Sequence, residues 1–126
     1  MEQRPSQGRM VVPVMWVYTR HGFLAIVQHN SMLGHFQVKS RTIDPLEVLW
    51  PDMEIETIDW ADYRFRITMP KGEAMSVLME QVSRVDYTSF KDECKYDEEY
   101  YYTLTRVWSL MYDYQQRLES LGRRGD

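Results

Sequence analysis

The stretch Tyr63-Arg64-Phe65-Arg66-Ile67-Thr68-Met69-Pro70-Lys71-Gly72-Glu73 decides how this chain folds. Tyr63, Phe65 and Ile67 alternate with Arg64, Arg66 and Thr68. Successive side chains of a strand point to opposite faces, so the pattern predicts a strand with one face buried and the other wet. Pro70-Lys71-Gly72-Glu73 then opens a helix, whose apolar positions Met75, Leu78, Met79 and Val82 recur at helical spacing.

Upstream, Glu54 to Ile58 reads as a further strand, joined to Tyr63–Met69 by Asp59-Trp60-Ala61-Asp62. Asp44-Pro45-Leu46-Glu47-Val48-Leu49 is a helix start: Asp44 can cap exposed amides, Pro45 suits the first helical position, and Pro51 stops the helix after little more than a turn. His35 to Arg41 alternates, with Phe36 and Val38 on one face and Gln37, Lys39 and Arg41 on the other, and Asn30-Ser31 and Gly34 mark the turn before it. Val14 to Tyr18 and Phe23 to Val27 are β-branched and aromatic. A tight turn at His21-Gly22, with Gly22 supplying positive φ, would join them as a hairpin; one long strand with a bulge is the alternative.

Downstream, Thr88 or Ser89 caps a short helical segment carrying Phe90. A final helix over Asp97 to Leu121 places Tyr101, Leu104, Val107, Trp108, Met111, Tyr114, Leu118 and Leu121 on one broad stripe. Strands early and helices late predict an α+β fold: a mostly antiparallel sheet of four or five strands with the C-terminal helices packed on one face. Trp108 is then expected to be buried where the last helix meets the sheet. Residues 1–13 read as a disordered leader, 14–121 as a single α+β domain and 122–126 as a disordered tail.

A chain of 126 residues, 44 % hydrophobic and 27 % charged, has the composition of one soluble globule. Cys94 stands alone and no stretch resembles a signal peptide or a membrane span, which points to a reducing cytoplasm and away from membranes. A net charge of −4 argues against a whole-surface attraction to double-stranded nucleic acid. The charge is uneven: +2 over residues 1–50 and −6 over 51–126.

Motifs that would name a reaction are missing. His21, His29 and His35 are the only histidines, and no cysteine pair, His-Glu-x-x-His or calcium loop accompanies them. Cys94 lies among Asp92, Glu93, Asp97, Glu98 and Glu99, a neighbourhood that raises a thiol pKa and works against an activated thiolate. No nucleophile elbow or phosphate-binding glycine loop is present, so no catalytic residue, metal or cofactor is assigned. Arg20, Lys39, Arg41, Arg64 and Arg66 are interleaved with Trp16, Tyr18, Phe36, Tyr63 and Phe65, as in sheets that stack unpaired bases; aromatics turned inward and arginines outward would give the same pattern. Residues 91–102 hold five carboxylates and four tyrosines, Tyr96, Tyr100, Tyr101 and Tyr102. Asp97, Glu98 and Glu99 complement the positive end of the last helix, and the segment also fits an acidic, aromatic patch for a basic protein surface.

Four segments, Met15–Thr19 with Gly22-Phe23, Asp62–Ile67, Asp86–Lys91 and Val107–Tyr112, resemble a family of small bacterial hypothetical proteins. Its members open Met-Trp-[aliphatic]-[Tyr/Phe]-Thr followed by Gly-Phe. They carry Asp-Tyr-x-[Tyr/Phe]-Arg-[aliphatic] and Asp-Tyr-x-x-Phe-Lys, and close on Val-Trp-Ser-[Leu/Val]-Met-Tyr. The resemblance spans about residues 15 to 115 and implies a single small cytoplasmic domain. Members begin at the position of Met15, which implies that residues 1–14 are an extension or an upstream start. It carries no activity, cofactor or catalytic residue.

Two function classes follow. The first is a non-catalytic protein-binding or regulatory domain that uses the acidic and tyrosine-rich segment, with Tyr100 and Tyr101 as contacts. Self-association as a symmetric dimer belongs with it, because an unpaired sheet edge or open face is commonly hidden that way. The second is a nucleotide- or phosphate-handling enzyme, or a single-stranded RNA binder. It would place Arg20, His21, Arg41 and Arg64 around one end of the sheet to hold a small anion or nucleotide.

Overall fold

The computed structural model of the chain describes residues 14–122. The leader expected over 1–13, and the tail beyond Gly122, lie outside the described residues. The contacts gather into two compact units that divide between Val85 and Asp86. The architecture is α+β. No helix among the described residues is long and apolar enough to cross a membrane.

The first unit holds β1 (Val14–Thr19), β2 (Gly22–Gln28), β3 (His35–Ser40), α1 (Asp44–Leu49), β4 (Glu56–Thr57), β5 (Phe65–Pro70) and α2 (Lys71–Ser83). Its five strands form one antiparallel sheet in the order β1-β2-β3-β5-β4. The β1–β2 hairpin forms as expected, although its turn sits on Arg20 and His21 and Gly22 opens the second strand. Gly22 has φ +143°, and a Cβ there would lie 2.8 Å from Pro45 Cγ of α1. The glycine therefore meets two demands, an unusual backbone and the close approach of a helix. Thr19 locks the turn: its hydroxyl donates to Gly22 O at 2.9 Å and accepts from His21 N at 3.1 Å.

The next turn is built by histidines. His29 Nδ1 accepts from Ser31 N and Met32 N at 3.1 and 3.0 Å, while His35 Nδ1 donates to Leu33 O at 2.9 Å. In α1 the carbonyl of Ile43 accepts from Leu46 N and Glu47 N, both at 3.1 Å, so the backbone itself closes the first turn. Asp44 lies inside the helix and makes no capping bond, contrary to expectation, leaving its charge to complement the helix N-terminus. The strand expected at Glu54–Ile58 shortens to two residues, and Ile58 N donates to Arg64 O at 2.8 Å to close the loop.

Register assigns the two faces of the sheet. Val38 pairs with Ile26 on one side and Ile67 on the other, so these three share a face. They join Leu24 and Met69 with Leu46, Leu49 and Trp50 of the α1 region and Ala74 of α2 in one buried cluster. Trp50 Nε1 is buried there without a partner, a local cost that this packing outweighs. In α2 the expected phase is corrected. Ala74 is buried, with Val77 and Leu78 against the core, whereas Met75, Met79 and Val82 are exposed. Lys71 N donates to Gly34 O at 3.0 Å and so fixes the rotation of the first turn.

The second unit holds α3 (Phe90–Glu93) and α4 (Glu98–Ser120). Asp97 caps α4 as its carboxylate accepts from Tyr100 N at 3.1 Å. Ser89 precedes α3 without a side-chain capping bond. Trp108 corrects the expectation of burial: it is 58 % exposed, stacked on Tyr112 at 5.9 Å. Helical spacing shows which residues share a stripe but not whether anything covers it, and Leu104 is the buried residue of α4.

These placements separate variants in urea unfolding of the full chain. Leu24→Ala and Ile67→Ala should each cost about 2–5 kcal/mol. Gly22→Ala should cost more than about 1 kcal/mol through its backbone and Pro45, whereas Trp108→Ala should stay within about 1 kcal/mol.

Candidate functional site

Antiparallel order brings one set of loops to a single end of the sheet. The β1–β2 turn, the exit of β3 and the β4–β5 loop all lie there, because Thr19 opposes Gly22, Ser40 opposes Phe65 and Thr57 opposes Phe65. Arg20, His21, Arg41 and Arg64 therefore share this end of the fold. Phe23 anchors its aromatic floor, with ring centroids 4.7 Å from Tyr18, 5.7 Å from Trp16 and 6.3 Å from Tyr63.

The arginines do not present themselves alike. Arg41 Nη1 reaches Asp62 Oδ1 at 2.8 Å and donates also to Asp62 O at 3.2 Å, with its guanidinium 4.3 Å from the Tyr63 ring centroid. The hydrogen bond to Asp62 raises its pKa, against a smaller opposing effect of burial. Arg64 Nη2 pairs with Asp59 Oδ1 at 2.8 Å and lies over Phe65 at 5.7 Å. Both pairs are solvent-exposed, so each is worth little to stability, yet each sets a carboxylate beside the cation. His21 is held below its ordinary pKa, first by burial and then by the positive charge of Arg20.

Tyr100 and Tyr101 belong to the other unit, in the first turns of α4. Both are half-buried, and Tyr101 N donates to Asp97 O at 2.8 Å. The exposed tyrosines of the segment are Tyr96 and Tyr102. Cys94 is buried. Among the described residues no three His, Cys, Asp or Glu side chains come together as a metal site.

Sequence reading passed over two features. One is the exposed side of α4, where Trp108, Met111, Tyr112, Tyr114 and Leu118 line a shallow concavity with Gln115 and Glu119. Its periodicity was visible, but helical periodicity reads as core. The other is a pair of opposed cations, Lys39 and Arg66, whose meeting depends on strand register.

No family model, curated protein or solved structure matches the chain.

The His21 environment predicts a pH dependence. Its folded pKa lies below the unfolded one, so the unfolded chain takes up the proton first. The stability linked to His21 is complete above an unfolded value of about 6.5 and declines as pH falls below it. His21→Gln should flatten that part of a stability–pH curve, and Arg20→Ala should raise the His21 midpoint in an NMR titration. A wild-type midpoint at or above the ordinary histidine value would contradict this environment.

Proposed function

We propose that the protein is a non-catalytic protein-binding domain whose α4 docks a basic amphipathic helix of a partner. One observation carries the reading. Trp108, Met111, Tyr112 and Tyr114 are each between 47 % and 58 % exposed along one side of a single capped helix. Trp, Tyr and Met are enriched at interfaces, and tryptophan and tyrosine supply much of the energy where they are desolvated on binding. A contiguous apolar stripe of this kind is a docking surface more often than an accident of composition.

Charge supports the choice of partner. Residues 86–122 carry eight carboxylates against four basic side chains. Asp97, Glu98 and Glu99 sit together at the start of α4. A partner helix with an apolar face flanked by lysine or arginine satisfies both the stripe and the net negative charge of residues 86–122, with the charges setting its encounter rate. Lys91 Nζ lies 5.9 Å from the Trp108 ring centroid and would be displaced or retained at the rim.

The test is anisotropy of a labelled lysine- and leucine-rich amphipathic peptide titrated with the full chain. Wild type should bind, and Trp108→Ala with Met111→Ala should weaken binding by about 30-fold or more. Helix content should be unchanged. Tyr102→Ala serves as the comparison, since that exposed ring lies off the stripe that carries Trp108. Light scattering run in parallel would reveal a dimer lost in Trp108→Ala, which would replace the partner helix with a second copy. Neither peptide binding nor self-association would end the reading.

A further inference from the structure

A second surface, in the other unit and independent of α4, lies on the sheet face opposite α1 and α2. The ladder sets Trp16 against Ala25, Ala25 against Lys39, Lys39 against Arg66, and Arg66 against Glu56. Directly opposed residues project to the same side, so these five form one row across the sheet. The face is the one that excludes Ile26, Val38 and Ile67. Trp16 ends the row on the edge strand, 63 % exposed and met at a right angle by the Phe23 ring.

Two like charges in direct opposition are a destabilising arrangement in a sheet, and the row's one carboxylate, Glu56, stands at its far end beyond Arg66. Among the described residues neither Lys39 nor Arg66 forms an ion pair, whereas Arg41, Arg64 and Arg84 each hold a carboxylate. Arg66 directs Nη2 to Tyr63 O at 2.8 Å, and its buried Nε has no partner. Glu56 is in register with Arg66 but makes no ion pair with it. The Lys39 pKa is lowered by burial and then by Arg66, with Asp62 partly offsetting them, so the pair is strained in the direction that an anion would relieve.

We propose that this row binds a nucleoside phosphate, the base stacking on Trp16 and the phosphate lying between Lys39 and Arg66. Trp16 and Lys39 are two strand spacings apart, about 10 Å between backbones, and both side chains are long enough to narrow that gap to the span of a nucleotide. Ala25 between them is the smallest side chain of the row and is fully buried. An anion without a ring would use only one end of the row, and a ring without an anion only the other. Stacking on an exposed aromatic with cations for the backbone is how sheets hold unpaired nucleotides. The same chemistry is offered by a free mononucleotide and by a nucleotide within single-stranded RNA.

The test uses the full chain with three probes: AMP, a labelled single-stranded oligouridylate, and inorganic phosphate. Binding of AMP or of the oligonucleotide in preference to phosphate is expected, and which of the two binds identifies the source. Lys39→Gln should weaken that binding about fivefold or more and lower the salt slope by roughly one, and Lys39→Arg should restore it. Trp16→Ala should weaken it similarly while Trp16→Phe retains it. Lys95→Gln, in the other unit, should change nothing. In wild-type amide NMR, shifts on titration should concentrate at Trp16, Ala25, Lys39 and Arg66, a readout that needs no variant to fold. No binding of either nucleotide probe, phosphate bound as well as nucleotide, or shifts confined elsewhere would overturn the proposal.

Discussion

Between Ser40 and Phe65 the chain leaves the sheet, builds α1 and the short β4, and returns to pair with the strand it left. The β3–β5 ladder that results, His35 opposite Pro70 through Ser40 opposite Phe65, is the long-range constraint on which the other elements depend. Val38 and Ile67 are nearly inaccessible to solvent, and they hold its register. A slip of one residue would turn them outward and bring Lys39 or Arg66 into the apolar layer. Burial of a charge without a partner is far costlier than the loss of one strand bond. The same constraint that makes the core therefore forces two cations to face each other on the opposite side.

The helices depend on that ladder in different ways. α2 follows β5 without a loop, and the bond from Lys71 N to Gly34 O ties its first turn to the β2–β3 turn. This selects Ala74, Val77 and Leu78 as the inward side and leaves Met75, Met79 and Val82 in solvent. α1 reaches the sheet through Pro45, which occupies the space where a side chain at Gly22 would stand. Loops at that end of the sheet are then held by charge: two arginine–aspartate pairs whose guanidinium groups also lie over aromatic rings. Exposed pairs of this kind orient side chains more than they stabilise the fold.

α4 follows a separate logic. Its first turn is satisfied by Asp97, with Glu98 and Glu99 favourably placed against the helix dipole, and its length allows an apolar stripe to extend well past Leu104. The exposed part of that stripe carries aromatic rings stacked on one another, Trp108 on Tyr112. Stacking shields part of each ring and leaves the rest as a rigid exposed surface.

Alternation in Tyr63–Ile67, the β-branched and aromatic runs at Val14 and Phe23, and the acidic start of the last helix at Asp97 were legible in the sequence because each is a property of neighbouring residues. A strand's two faces, a turn's glycine and a helix's start follow from local sterics and hydrogen bonding. The sequence by itself thus determined an antiparallel α+β fold and its main elements. Tertiary structure alone decided that Asp44 leaves its capping role to the Ile43 carbonyl, that α2 rotates Met75 outward, and that Trp108 is exposed. It also decided which arginines meet aspartates and which cation faces another. Periodicity states which side chains lie together, whereas the surface they meet is fixed by strand register and anchoring bonds between residues far apart in the chain.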